Sequence, residues 1–403
     1  MHNAVLDFFR EWGREQPTNI GVAVSGGSDS IALLRAMHVA FPNAQLHAAT
    51  VNHGLREGAI GEARFVETLC NQLQIPHTIL TVCDLDDGPN LQARARDARY
   101  RMLADWGRGF DVVCLGHSQT DVAENFLIRL ARGSGADGLA AMDGTWDRHD
   151  VTWARPLLML SREDLRRYLA QIGQTWCDDP SNLDAKFTRV AMRLAQPALD
   201  DLGLTAHRLG QTAHRMAKIS DALNHSVRRE IPNVLHRDLC DVVLDRAALA
   251  DLPEEISERI YAMALGWVGG RPYRPRNDAL LRVMSSHDAS TLHGCVLVPE
   301  RNSLTRISRE YNAVSNLESP CSGPWDGRFS APKYDHNHHM AALGALGLKQ
   351  CDDWRATGRP RIALLSSPAI WCGDQVILAP MAGLGQKECV QIAQPPWESA
   401  LTR

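Results

Sequence analysis

The chain has 403 residues, 44% of them hydrophobic and 22% charged, with 43 Lys/Arg against 47 Asp/Glu and a formal net charge of −4. That length predicts two or three domains rather than one core, and the mild acidity excludes binding to polyanions through overall charge. No apolar run approaches the roughly 18–20 residues that span a bilayer, and ten scattered cysteines without a C-x-x-C exclude a disulfide framework or a zinc ribbon.

The opening segment M-H-N-A-V-L-D-F-F-R-E-W has early acids and no small-residue cleavage site, so no signal peptide is expected and a cytoplasmic location fits. Apolar runs at 20–24, 45–51, 77–82 and 111–115 predict strands, and the stretches 29–40, 61–73, 91–106 and 120–132 predict helices between and after them. Strand and helix alternating at this spacing imply an α/β fold: a parallel sheet with helices on both faces. A further strand is expected at 153–158, and Ser161 with Asp164 reads as an N-cap signature opening another helix. A Pro and a Gly at 196–204 suggest the first domain boundary. Residues 205–230 have a helical period, 319–339 are rich in Pro, Gly and Ser and read as a linker, and the apolar runs at 362–365 and 376–378 predict a small C-terminal module. The expected division is 1–200, then a mainly helical part at 201–318, the linker, and an α+β module at 340–403.

Chemistry concentrates where the first strand ends. V-A-V-S-G-G-S-D-S (22–30) places Gly26 and Gly27 where backbone can approach a phosphate closely, with hydroxyls from Ser25, Ser28 and Ser30 and the positive end of the next helix behind them. Asp29 would repel a phosphate and suits the Mg²⁺ that accompanies one. An ordinary N-capped turn is the plain alternative. The pattern lacks the lysine of G-x-x-x-x-G-K-[ST], so the common γ-phosphate-hydrolysing loop is excluded. A second cluster, L-G-H-S-Q-T-D-V-A-E-N (115–125), puts Asp121 and Glu124 on one helical face with His117 at its start. These residues could hold a metal, bind an ammonium group or accept a proton, or the acids could simply complement a helix dipole.

S-G-G-x-D-S resembles the pyrophosphatase loop of N-type ATP pyrophosphatases, which cleave ATP to AMP and pyrophosphate while adenylating a substrate. Together with V-N-H-G-L-R (51–56), N-L-Q-A-R-A-R-D-A-R-Y (90–100), G-H-x-x-x-D-x-x-E and D-D-P-S-N-L-D-A-K-F-T-R (178–189), the order of motifs over about 18–200 resembles the tRNA(Ile)-lysidine synthetase family. The resemblance implies an adenine nucleotide alpha hydrolase-like catalytic domain followed by tRNA-binding parts. It implies ligation of L-lysine to C2 of the wobble cytidine in a CAU-anticodon tRNA(Ile), through an adenylated cytidine, with ATP consumed as substrate and Mg²⁺ as its counterion. Ser25–Ser30 would then bind ATP phosphates, Asn52 and His53 would border the adenine, and Arg96 and Arg99 would face phosphate or developing charge. His117, Asp121 and Glu124 would orient the lysine amine or take its proton. Asp178, Asp179 and Asn182 would form a nearby loop. The family pattern has Asp and Thr where this chain has Thr120 and Asn125, and commonly Asn where it has Val190.

In the C-terminal half, Arg271, Tyr273, Arg274 and Arg276 are candidate tRNA contacts, with a solvated loop the equal alternative. The histidines His336, His338 and His339 could bind metal but lie in the expected linker. Three rival functions remain: a tRNA thiolase, disfavoured by the missing C-x-x-C; an NAD- or GMP-type synthetase, disfavoured by the extra domain; and an RNA-binding protein without catalysis. A homodimer is left open.

Overall fold

The computed structural model describes residues 1–52, 58–81, 91–178, 188–271, 273–386, 390–395 and 397. The chain forms two compact units, Met1–Ser220 and Asp221–Arg403. In the first, α1 (His2–Glu11), β1 (Asn19–Ala23), α2 (Ser28–Ala40), β2 (Gln45–Asn52), α3 (Gly58–Gln72), β3 (His77–Thr81), α4 (Leu91–Gly107), β4 (Val112–Leu115) and α5 (Gln119–Leu130) follow the predicted alternation. Then come α6 (Ala136–Leu139), β5 (Thr145–Arg148), β6 (Val151–Ala154), α7 (Arg162–Gln171), α8 (Thr188–Asp201) and the first half of α9 (Ala206–Val234), whose remainder belongs to the second unit.

The sheet order is β3-β2-β1-β4-β6-β5, parallel except for β5. Neighbouring residues of each strand join opposite cores, as the two-residue period of a strand requires. Ile20, Val22, Val112 and Cys114 pack with α1, α2, α3 and α7, whereas Ala23, Val113, Leu115 and Trp153 pack with α4. Helices therefore cover both faces, which explains why the strands read as unbroken apolar runs. The chain proceeds from β1 outward to β2 and β3, then returns to place β4 on the other side of β1. Loops leaving β1 and β4 thus part at the carboxyl edge, the crevice where such sheets bind ligands.

Two sequence expectations need correction. Pro197 lies inside α8, and Gly203 (φ 79°) ends that helix in a tight turn to α9, so 196–204 is a helix–helix corner within the first unit. The stretch 319–339 is not a free linker: it contributes strands Glu318–Pro320 and Phe329–Ser330, and its Trp325 and Phe329 are each 1% exposed. Here Pro and Gly turn the chain inside a packed core. The region 201–318 also holds more strand than its helical period suggests. β7 (Leu235–Asp238), β8 (Asp241–Asp245), β9 (Ser290–Leu292), β10 (Cys295–Pro299) and β11 (Leu304–Arg309) form an antiparallel sheet ordered β7-β8-β11-β10-β9. Their shortness hides the alternation. Helices α10 (Arg246–Ala250), α11 (Glu254–Gly269) and α12 (Asn277–Ser285) pack with them around Val242, Leu244, Ile260, Leu265 and Ile307. A second antiparallel sheet joins Glu318–Pro320, His339–Ala342, Pro368–Cys372 and Gln375–Leu378. Among the described residues no helix is long and apolar enough to cross a membrane.

Candidate active site

The loop after β1 is closed upon itself. Gly26 adopts φ +91°, a left-handed conformation that favours glycine, and its carbonyl accepts the Cys177 amide at 2.9 Å. The Ser30 hydroxyl donates to the Gly27 carbonyl (3.0 Å) and accepts the Ser25 amide (3.1 Å). Gly27 caps α2 without any side-chain hydrogen bond to the first turn, leaving those amides available to an anionic ligand. Gly116, leaving β4, touches the same turn. A Cβ there would sit 2.9 Å from both the Asp29 carbonyl oxygen and the Ser30 Cα. Only glycine lets the two strand exits approach this closely.

Three carboxylates meet one guanidinium beside the loop. Arg162 Nε is 3.0 Å from Asp29 Oδ2, Nη2 is 3.3 Å from Asp121 Oδ1, and Nη1 is 3.3 Å from Glu124 Oε1. Each nitrogen takes a different acid. Glu124, 2% exposed, is also held by Arg193 at 2.8 Å and Arg189 at 3.7 Å. Asp121 accepts the Ser118 amide (2.9 Å) and hydroxyl (3.0 Å), and Ser118 Oγ lies 3.3 Å from Asp29. Burial works against ionising Asp121, but Arg162, His117 and the Ser118 amide outweigh it and hold the carboxyl below its usual range. Burial likewise opposes charge on Arg162, and the three acids overcome it. Thr120, the departure from the family pattern, accepts the Arg162 backbone amide at 3.1 Å and so steadies the start of α7.

His117 lies at the β4 exit, where Arg155 Nε donates to its Nδ1 at 3.2 Å. Burial, offset in part by Asp121 and reinforced by Arg155, Arg99 and Arg96, lowers its pKa to about 3, so the ring is neutral at physiological pH. Arg99 is pushed below its ordinary value by burial, which Tyr100 partly offsets and the like charge of Arg96 reinforces.

These residues enclose a cavity of about 750 Å³. Of the residues expected from the sequence, Ser25, Gly27, Ser28, Asp29, Ser30, Arg96, Arg99, His117, Asp121 and Asp178 line it. Gly26 shapes the loop, and Glu124 lies buried behind Arg162. Asn52 ends β2 at the same sheet edge, while His53, Asp179 and Asn182 fall outside the described residues. Sequence reasoning missed Arg162, Arg166 and Arg193, and quoted Arg189 without a role; all four line the cavity. One signal was available for Arg162. A cation in the first turn of a helix opposes the dipole and calls for an anionic partner nearby. Six arginines against three aspartates line the cavity, so it presents net positive charge in a chain that is acidic overall.

Elsewhere, Tyr273 is 79% exposed, whereas Arg274 is paired with Glu258 and Glu255 within the second unit. His338 pairs with Asp335 at 2.6 Å, and among the described residues no group of three or more His, Cys, Asp or Glu could hold a metal.

Residues 2–197 match the sequence model of the PP-loop domain, so the first unit is of the PP-loop ATP-binding class. Over 93% of this chain and 91% of its own length, a tRNA(Ile)-lysidine synthase from Ruegeria pomeroyi is 38% identical. Proteins of the same name from Brucella anthropi and Wolbachia pipientis are each 32% identical, over 91% and 77% of this chain and 86% and 76% of theirs. The chain belongs to the tRNA(Ile)-lysidine synthase family.

Proposed function

We propose that this enzyme ligates L-lysine to C2 of the wobble cytidine of a CAU-anticodon tRNA(Ile), via an adenylated cytidine, releasing pyrophosphate and then AMP. The observation that carries this reading is the arginine-rich cavity built on a glycine loop with no P-loop lysine. It suits a triphosphate cleaved at its α-phosphorus. The loop amides and the Ser25 and Ser28 hydroxyls hold phosphate oxygens while Ser30, whose hydroxyl donates to the Gly27 carbonyl, keeps the loop closed around them, with Arg96 and Arg99 against the charge that develops as pyrophosphate leaves. Cytidine O2 attacks the α-phosphorus; the lysine ε-amine, losing a proton, then displaces AMP from C2. Asp121, the acid of the α5 pair that lines the cavity, faces the amine, while Glu124 anchors the arginines behind it.

Magnesium commonly binds one or two carboxylates together with substrate phosphates. Asp29 fits as the single protein ligand: it is partly shielded by Arg162 and stands where the triphosphate would lie. The ion supplies charge neutralisation to the phosphates. The expected result is that pyrophosphate release requires the CAU-anticodon tRNA but not lysine. Asp29→Ala is expected to cut that release at least about 100-fold while leaving tRNA retention on a filter unchanged; equal loss of both would place Asp29 in tRNA binding instead.

The exposed loop around Tyr273 and Arg276 is proposed as a tRNA backbone contact. Arg276→Ala should lower the slope of log affinity against log salt by about 1 and weaken all tRNAs alike. An unchanged slope would remove Arg276 from the interface. A tRNA substrate supports a cytoplasmic location.

A further inference from the structure

We propose that Arg155 is a positioning residue: by donating its Nε–H to His117 Nδ1, it fixes His117 as the tautomer protonated on Nε2. The cavity-facing edge of the ring is then a hydrogen-bond donor to an anionic oxygen, and not a base for the incoming amine. The inference rests on the reading of the cavity as a nucleotide site.

Arg155 is itself immobilised. Its Nη1 donates to the Asp143 carbonyl at 2.7 Å, and its guanidinium lies 3.8 Å from the centre of the Trp146 ring, a cation–π geometry. Trp146 is supplied by the β5 edge strand and stacks against Trp153 of β6. The hairpin thus aims Arg155 at the histidine. A guanidinium nitrogen can only donate, so Nδ1 at 3.2 Å must present its lone pair. A neutral imidazole carries one proton, which this contact confines to Nε2.

The charged groups facing His117 come from three places: Asp121 on α5, Arg96 and Arg99 on α4, and Arg155 after β6. Three cations oppose one anion, so the ring gains nothing by protonation. Arg155 stands outside the cavity lining whereas His117 belongs to it, beside Arg96, Arg99 and the glycine loop. The ring edge left to the cavity therefore shares its environment with the groups suited to phosphate. There a neutral N–H donor complements an oxyanion. A base would need the proton on Nδ1, directed at the Arg155 N–H.

The test is nitrogen NMR on the full-length protein with labelled histidines, the His117 signal being identified by its loss in His117→Gln. Wild type is expected to show one neutral tautomer, protonated on Nε2, with no titration between about pH 6 and 8. Arg155→Met should release the ring: mixed tautomers appear, and the signal titrates closer to the ordinary histidine range. Arg155→Lys, which can still donate to Nδ1, should keep the wild-type tautomer. A wild-type proton on Nδ1, or an Arg155→Met spectrum identical to wild type, would overturn the proposal. A turnover assay adds a second arm. Glutamine can offer an N–H near the Nε2 position, so His117→Gln should stay within about tenfold of wild type, whereas loss of a general base costs about 10²–10⁴-fold. A loss in His117→Gln as deep as in His117→Ala would also overturn it. The spectra need no turnover, so a wrong tRNA assignment and a wrong tautomer give different failures.

Discussion

Arg162→Ala is expected to lower lysine incorporation by roughly 100-fold or more, because it strips the common cation from three carboxylates that lie deep in the site. Breaking a buried ion pair costs about 3–5 kcal/mol when the other partner stays behind uncompensated; here Asp29 and Asp121 lose their paired guanidinium, and Glu124 keeps Arg193 and Arg189. Burial already works against ionising Asp121, and Arg162 is the largest charge holding that carboxyl down. Without it the Asp121 pKa rises, and the folded state takes up a proton at higher pH. The acid limb of the pH–rate profile should consequently move upward, with activity lost on the acidic side first. Arg162→Lys should rescue little. The guanidinium addresses Asp29, Asp121 and Glu124 through three separate nitrogens in a fixed plane, which a single ammonium cannot reproduce. A lysine variant with near wild-type rate would show that only net charge matters.

Gly116→Ala is expected to weaken ATP binding by about tenfold or more and to destabilise the first unit by about 1–3 kcal/mol. The added methyl would press on the backbone of residues 29 and 30, so no side-chain rotation can relieve it and the loop itself must move. Gly61→Ala is the matched control. A Cβ at Gly61, in helix α3, meets nothing within 4 Å, and alanine there should stabilise the helix by about 0.5–1 kcal/mol without changing ATP affinity. Calorimetric titration with ATP and thermal melts of both variants check the pair. Equal ATP affinity in the two would mean that the β4 exit does not shape the loop.

The sheet, its covering helices and the phosphate loop were legible because their signals are local. Apolar runs punctuated by Ser-Gly-Gly reflect strands buried on both faces and a turn that needs no side chain. Ser161 with Asp164 also formed the capping box that its spacing implied. The arginines were less legible. Arg162, Arg189 and Arg193 stand on α7 and α8, far along the chain from the acids they neutralise, and nothing in the periodicity of a helix says which distant carboxylate its polar face will meet. Arg155 follows an edge hairpin whose β5 strand was not foreseen, so its approach to His117 was invisible too. In the second unit, strands of two to six residues gave too little alternation to read. Composition also misled at Trp325 and Phe329, where Pro and Gly mark turns in a packed core.

The most direct measurement is mass analysis of the wobble nucleoside from a CAU-anticodon tRNA(Ile) transcript incubated with the protein, ATP and isotopically labelled lysine. The expected product is a cytidine carrying the full mass of one lysine less water, formed one for one with AMP and absent in Arg162→Ala at matched times. An unmodified cytidine, from protein that demonstrably binds ATP and the transcript, would contradict it.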